Sequence, residues 1–115
     1  MEMNLDSIYF NYIKKKIKLY ETRVYDDKRQ KIKLLDKVKF KEKGSKRFFN
    51  AIITELSYFS NFREAIIPVG IKKILPNARS LDDGVKIYEN FPHSEGNYKK
   101  GAKKFGVLRM KFKLG

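Results

Sequence analysis

Apolar residues recur at two periods along the first quarter of the chain, and the switch between them separates two elements. Leu5, Ile8, Tyr9, Tyr12 and Ile13 fall at i, i+3, i+4, i+7 and i+8, one stripe of a helix. Asp6 or Ser7 is placed to cap its start, and Lys14, Lys15 and Lys16 sit where cations suit a helix C-terminus. From Ile17 to Tyr25, β-branched and aromatic residues predict a strand, and Asp26-Asp27-Lys28 predicts the turn that ends it. Residues 37–41 alternate with period two, Val38 and Phe40 inward and Lys37, Lys39 and Lys41 outward. Gly44-Ser45 marks a hairpin. Phe48 to Phe59 is apolar on both faces, as a central or barrel strand is.

Beyond the hairpin the pattern turns helical. Asn61 with Glu64, and Ser80 with Asp83, have the spacing of capping boxes. Pro68 divides or kinks the first segment and Pro76 stops it. The second opens a helix with Leu81, Val85 and Tyr88 on one face, followed by a loop from Phe91 to Gly96. Leu108, Met110, Phe112 and Leu114 then alternate with Arg109, Lys111 and Lys113, a half-buried strand. Strands at both ends with helices between predict an α+β fold, a small β-barrel with helices packed around it and its last strand beside the early ones. No repeat or low-complexity linker interrupts the chain, so residues 1–115 read as a single domain.

The chain is 42% hydrophobic and 14% aromatic, enough for a core and incompatible with a disordered tail. Cysteine is absent and histidine occurs once, which excludes disulfides and thiolate metal sites and gives no reason to expect a metal or other cofactor. No stretch reaches the roughly 18 uninterrupted apolar residues of a membrane span. Residues 1–6 lack the basic start and apolar run of a signal peptide. The expectation is an intracellular protein, cytoplasmic or nuclear, with no membrane partner.

Charge adds the first functional indication. The net charge is +14, with 27 basic and 13 acidic residues. The abundance of Lys, Ile, Asn, Phe and Tyr fits an A/T-rich genome, but codon usage does not arrange charge along a chain. Residues 1–50 carry net +8, residues 51–95 net −1 and residues 96–115 net +7. Two basic ends around a neutral middle point to a polyanion partner, RNA or single-stranded DNA. Lys99, Lys100, Lys103 and Lys104 form a run suited to tracking phosphates, with no acid to balance them within residues 96–115.

Glu21 and Arg23 lie two apart on the predicted strand and therefore share a face. That spacing fits a surface ion pair or a polar floor beneath a cleft. In either case Arg23→Lys and Glu21→Gln are expected to spare the fold. His93 lies in a proline-preceded loop, either touching a cleft or simply exposed.

A helix ending Tyr9-Phe10-x-x-Ile13, followed by Lys18-x-x-Glu21-x-Arg23, resembles the ASCH domain family, a branch of the PUA-like β-barrels. The second half is similar too: Leu75-Pro76, then Gly84-Val85-x-x-Tyr88 with Phe91, and Gly106-Val107-Leu108 in a closing strand. One departure is plain. The family has glycine two residues before the motif lysine, at the position held here by Lys16, where glycine permits a left-handed residue at the helix end.

The resemblance implies a PUA-like barrel with a basic cleft between the first helix, the motif strand and residues 88–94. It implies an RNA-related role, with Arg23 gripping phosphate or a base edge, Glu21 orienting it and Lys18 supplying a point charge. Lys14, Lys15, Lys16 and His93 flank that cleft, and Tyr12, Tyr20, Tyr88 and Phe91 become stacking surfaces for unpaired bases or, as Tyr88 on its helical stripe suggests, core. An alternative implied by the family is a metal-independent hydrolase, a ribonuclease or a modified-nucleoside amidohydrolase. Tyr12, Lys18 and Glu21 would then be catalytic, with Ser94 as a further candidate group. Amidohydrolase members use a threonine where this chain has Glu21, and Thr22 points to the other strand face, which weakens that alternative.

Overall fold

The computed structural model describes residues 1–114. Strands β1 (Glu2–Leu5), β2 (Tyr20–Val24), β3 (Lys37–Glu42), β4 (Phe48–Phe59) and β7 (Val107–Leu114) form one mixed sheet in the order β1-β3-β4-β7-β2. The β1–β3 pair is parallel and the other pairs are antiparallel. Helices α1 (Ser7–Lys14), α2 (Phe62–Ile66), α3 (Leu81–Glu89) and α4 (Tyr98–Phe105) pack around it, with a short hairpin of β5 (Pro92–His93) and β6 (Gly96–Asn97). In a flat sheet the edge strands β1 and β2 would lie four spacings, about 19 Å, apart. Yet Arg23 on β2 hydrogen-bonds the Asn4 carbonyl on β1 at 3.2 Å. The sheet is therefore curled into an open barrel with one seam.

The alternation of each strand builds two cores. Val38, Phe40, Ala51, Ile53, Leu108 and Met110 face inward, where Phe10 and Ile13 of α1 close over them. Val24 and Val107 face outward and are covered by Phe62, Val85, Tyr88 and Tyr98 of α2, α3 and α4. Val107 and Leu108, adjacent on β7, are thus both buried. A register shift between Ile53 and Glu55 accommodates the bend of the long strand β4. Gly84 lets Ile71 pack directly on the α3 backbone, since a Cβ there would lie 2.1 Å from Ile71 Cδ1 and displace that side chain.

The predicted barrel, its returning last strand, the Gly44 turn and both side-chain caps are present: Glu64 N–H donates to Asn61 Oδ1 at 2.9 Å and Asp83 N–H to Ser80 Oγ at 3.1 Å. Four local features differ from the sequence reading. Leu5 belongs to β1 rather than to the helix, because Met3 and Leu5 pair with β3 and bury their side chains. The buried face of α1 is rotated, with Ile8 45% exposed and Phe10 1% exposed, since Phe10 fits against Phe49 at 4.9 Å between ring centres. Asp6 caps nothing with its side chain and instead pairs with Lys43 at 3.2 Å.

The strand expected from Ile17 begins only at Tyr20. Before it, Lys16 has φ 62°, Lys16 N–H donates to the Ile13 carbonyl and Ile17 N–H to the Tyr12 carbonyl. That pair of bonds is a Schellman stop with a lysine in the left-handed position usually held by glycine. Among the described residues no helix is long and apolar enough to cross a membrane.

Candidate functional site

The barrel seam opens into a cavity of about 510 Å³ between β1, β2, residues 26–32 and the 88–98 segment. Glu21 and Arg23 oppose Met110 and Leu108 in the β2–β7 register, so both side chains lie on the inner face of the edge strand. Arg23 is held by two bonds from Nη2, to Asn4 O and to Glu21 Oε2, each 3.2 Å. Its Nη1 and Nε bond nothing among the described residues, so most of the guanidinium fork remains for a ligand. Burial opposes the Arg23 charge, but Glu21 beside it holds the guanidinium pKa above its ordinary value.

Glu21 is the hub of a buried network. Its Oε1 accepts from Thr22 N–H at 3.1 Å, from the Tyr88 hydroxyl at 2.9 Å and from Lys18 Nζ at 3.2 Å. Thr22 N–H lies on the open edge of β2, so the carboxylate caps a backbone donor that no strand pairs. Burial penalises this charge, yet Lys18 and Arg23 keep the carboxyl below its ordinary 4.5. Lys18 is 1% exposed, and its three N–H bonds go to Ile74 O, Tyr88 Oη and Glu21 Oε1. Burial lowers its pKa, against the opposing pull of Glu21. Tyr88 is raised well above 10.0 by burial and by the Glu21 charge, so it remains a neutral donor.

Several expected roles are corrected by these positions. Lys18 lies beneath the cleft and its ammonium is fully used, so it offers no charge to a phosphate. Tyr88 stacks flat on Phe62 at 5.1 Å and 1% exposure, so its ring belongs to the core. Tyr12 is half-buried and does not line the cavity. Glu21→Gln no longer counts as harmless to the fold, because it strands the buried Lys18 ammonium. Phe91 does line the cavity, with Tyr9 edge-on to it at 6.4 Å. Thr22 opposes Arg109 on the outer face, where it is fully buried, so it cannot replace the missing threonine nucleophile.

His93 is neither a plain loop residue nor a free base. Glu95 N–H donates to its Nδ1 at 3.1 Å, which puts the proton on Nε2, and Nε2 donates to Asp26 Oδ2 at 2.8 Å. Asp26 also pairs with Arg29 at 2.8 Å. Burial opposes its charge, but the His93 bond and Arg29 hold its pKa below the ordinary 3.8. Ser94 lines the cavity next to this pair.

The lining also corrects the expectation of a basic cleft. Asp6, Glu21 and Asp26 face Arg23, Lys28, Arg29 and Lys43, so carboxylates offset most of the cations. Sequence reasoning missed the β1 contributors because β1 and β2 meet only when the sheet curls. Lys14, Lys15, Lys16, Lys99, Lys100, Lys103 and Lys104 are exposed and outside the cavity. Tyr20 is half-buried on the outer face beneath Arg109, whose guanidinium lies 5.3 Å from its ring centre.

No family model and no curated protein matches the chain. Solved structures do. The crystal structure of the hypothetical protein PH0355 is 32% identical over 99% of this chain and 97% of its own, with a TM-score of 0.83. The chain belongs to the same family as PH0355. The solution NMR structure of PF0455 from Pyrococcus furiosus is similar at 27% identity and a TM-score of 0.73, covering 98% of this chain and 94% of that one. In this PH0355-family chain the curled sheet is thus a shared architecture, and the seam is where its charged residues converge.

Proposed function

We propose that the chain is an ASCH-type domain that binds RNA or single-stranded DNA and takes one unpaired nucleotide into the seam cleft. The observation that carries this reading is Arg23, fixed by Asn4 and Glu21 with most of its fork free inside a nucleotide-sized cavity. Balanced donors and acceptors suit the mixed edge of a base better than a bare polyphosphate, and Phe91 offers an aromatic wall. The exposed lysines of α4 and of the α1 end supply sequence-independent phosphate contacts.

A metal-independent hydrolase using the same cleft is less well supported. Tyr12 and Lys18 do not line the cavity, and a carboxylate held below its ordinary pKa is a weak base. The test is to incubate the full chain with labelled single-stranded RNA and score gel shift and cleavage together. The expected result is a shift of intact RNA whose affinity falls with salt at a slope near −3, about 0.7 for each of four phosphates. Cleavage that copurifies with the protein through successive columns and persists in EDTA would sink the binding reading in favour of the hydrolase.

A further inference from the structure

Helices α2, α3 and α4 cover only one half of the outer sheet face. At that half Val24, Val107 and Phe59 are packed, and Arg109 is tied by Nη1 to the Ala65 carbonyl of α2 at 2.7 Å. The other half has no partner. The register places Lys41 beside Phe48, Lys39 beside Asn50, and Ile52 between Lys37 and Lys113 on this open face. Phe48 is 53% exposed and Ile52 36%, large apolar groups for a solvent face of a sheet.

The charges on this half are mostly of one sign. Lys37, Lys39, Lys41, Lys111 and Lys113 stand against Glu2 and Glu55. Glu2 is spent on Lys41 at 3.6 Å, and Lys39 sits over the Phe48 ring at 4.1 Å from its centre. Alternate lysines on β3 are about 7 Å apart, a spacing comparable with successive phosphates of an extended single strand. Ile52 lies between Lys37 and Lys113, and Phe48 lies beside Lys41 at the end of the face, two apolar platforms for bases.

We infer that this uncovered outer face, distinct from the seam cleft, is a second nucleic-acid surface that carries the backbone of a single strand between the lysines of β3 and β7, with Phe48 stacking on a base. The inference rests on the reading of the protein as a nucleic-acid binder, but it makes its own demand. The cleft needs only one nucleotide; the face needs a polymer.

The experiment uses the full chain with two ligands, polyuridylic acid and uridine monophosphate, and polyglutamate as a polyanion without bases. Lys37→Glu and Lys113→Glu are each expected to weaken polyuridylic acid binding about tenfold at low salt and to lower the salt slope by about 0.7. Phe48→Ala is expected to cost at least about fivefold, the lower end of base–aromatic stacking. Lys86→Glu, an equal charge change on α3 away from the face, should change affinity less than about twofold. None of these should move the thermal midpoint or uridine monophosphate binding, whereas Arg23→Lys should weaken the latter at least about tenfold and leave the polymer slope unchanged. Equal losses in Lys37→Glu and Lys86→Glu would overturn the face and leave the cleft standing. Polymer binding that depends on the face, with no mononucleotide binding, would remove the cleft and leave the face. Polyglutamate held as tightly as the RNA would make this a surface for acidic protein and overturn the nucleic-acid assignment.

Discussion

Arg23 and Asn4 are joined across the open edge of the barrel by a 3.2 Å bond from Nη2 to the backbone carbonyl. Nothing in the sequence places residues 4 and 23 together, because they sit on strands at opposite ends of the sheet order. The bond closes the seam at one point and leaves the remainder of the guanidinium to the cavity. Arg23→Lys keeps the charge but cannot hold Asn4, Glu21 and a ligand together. We expect it to bind mononucleotides at least about tenfold more weakly while costing no more than about 1 kcal/mol in stability. Calorimetric binding alongside thermal unfolding checks both halves, and unchanged affinity would remove Arg23 from the site.

Glu21→Gln should behave as a folding mutation. It leaves the Lys18 ammonium buried without a counter-charge, a loss on the order of 3–5 kcal/mol. Glu21→Gln combined with Lys18→Met should recover much of that, since removing both charges is far cheaper than removing one. Urea midpoints of the two variants decide the matter; equal destabilisation would mean that the pair is not coupled.

Acid should unfold the protein through the same carboxylate. Glu21 and Asp26 both have folded pKa values below their ordinary 4.5 and 3.8. For a depressed carboxyl the stabilisation is complete above the ordinary value and is lost as pH falls through the folded value. Stability is therefore expected to be level above about pH 5 and to decline below it. In Asp26→Asn that decline should be shallower, measured by urea melts at successive pH values.

Lys16→Gly should stabilise the chain. Lys16 holds φ 62°, a conformation that costs a lysine roughly 1 kcal/mol more than a glycine. The thermal midpoint should rise by about 4 °C. A fall would show that the lysine side chain contributes more than its backbone strain costs.

Gly84→Ala should destabilise despite alanine's better helix propensity. The new Cβ meets Ile71 Cδ1 at 2.1 Å and Cγ1 at 2.9 Å, so the isoleucine must move, at about 1–3 kcal/mol. Ile71→Ala should cost less in the Gly84→Ala background than alone. A double-mutant cycle with no coupling would contradict the packing.

Local chemistry was legible in the sequence wherever it depends on neighbours in the chain. Alternation in residues 37–41 and 108–114 marked β3 and β7, Asn61 and Ser80 marked helix starts, and Gly44 marked a hairpin. The shared face of Glu21 and Arg23 followed from a period of two. That Lys16 takes the left-handed conformation is shown only by the structure. The tertiary structure decided what those residues do. Residues 2–5 are too short to announce a strand, and pairing with β3 makes them one. Lys18 reads as a cleft cation until Ile74, Tyr88 and Glu21 are seen to take all its bonds beneath the cleft. The charge of the cleft was misjudged for the same reason, since Asp6 at the end of β1 reaches it only when the sheet curls. Periodicity reports which face of its own element a residue occupies, whereas burial, pairing and cavity shape depend on which distant element the curled sheet brings against that face.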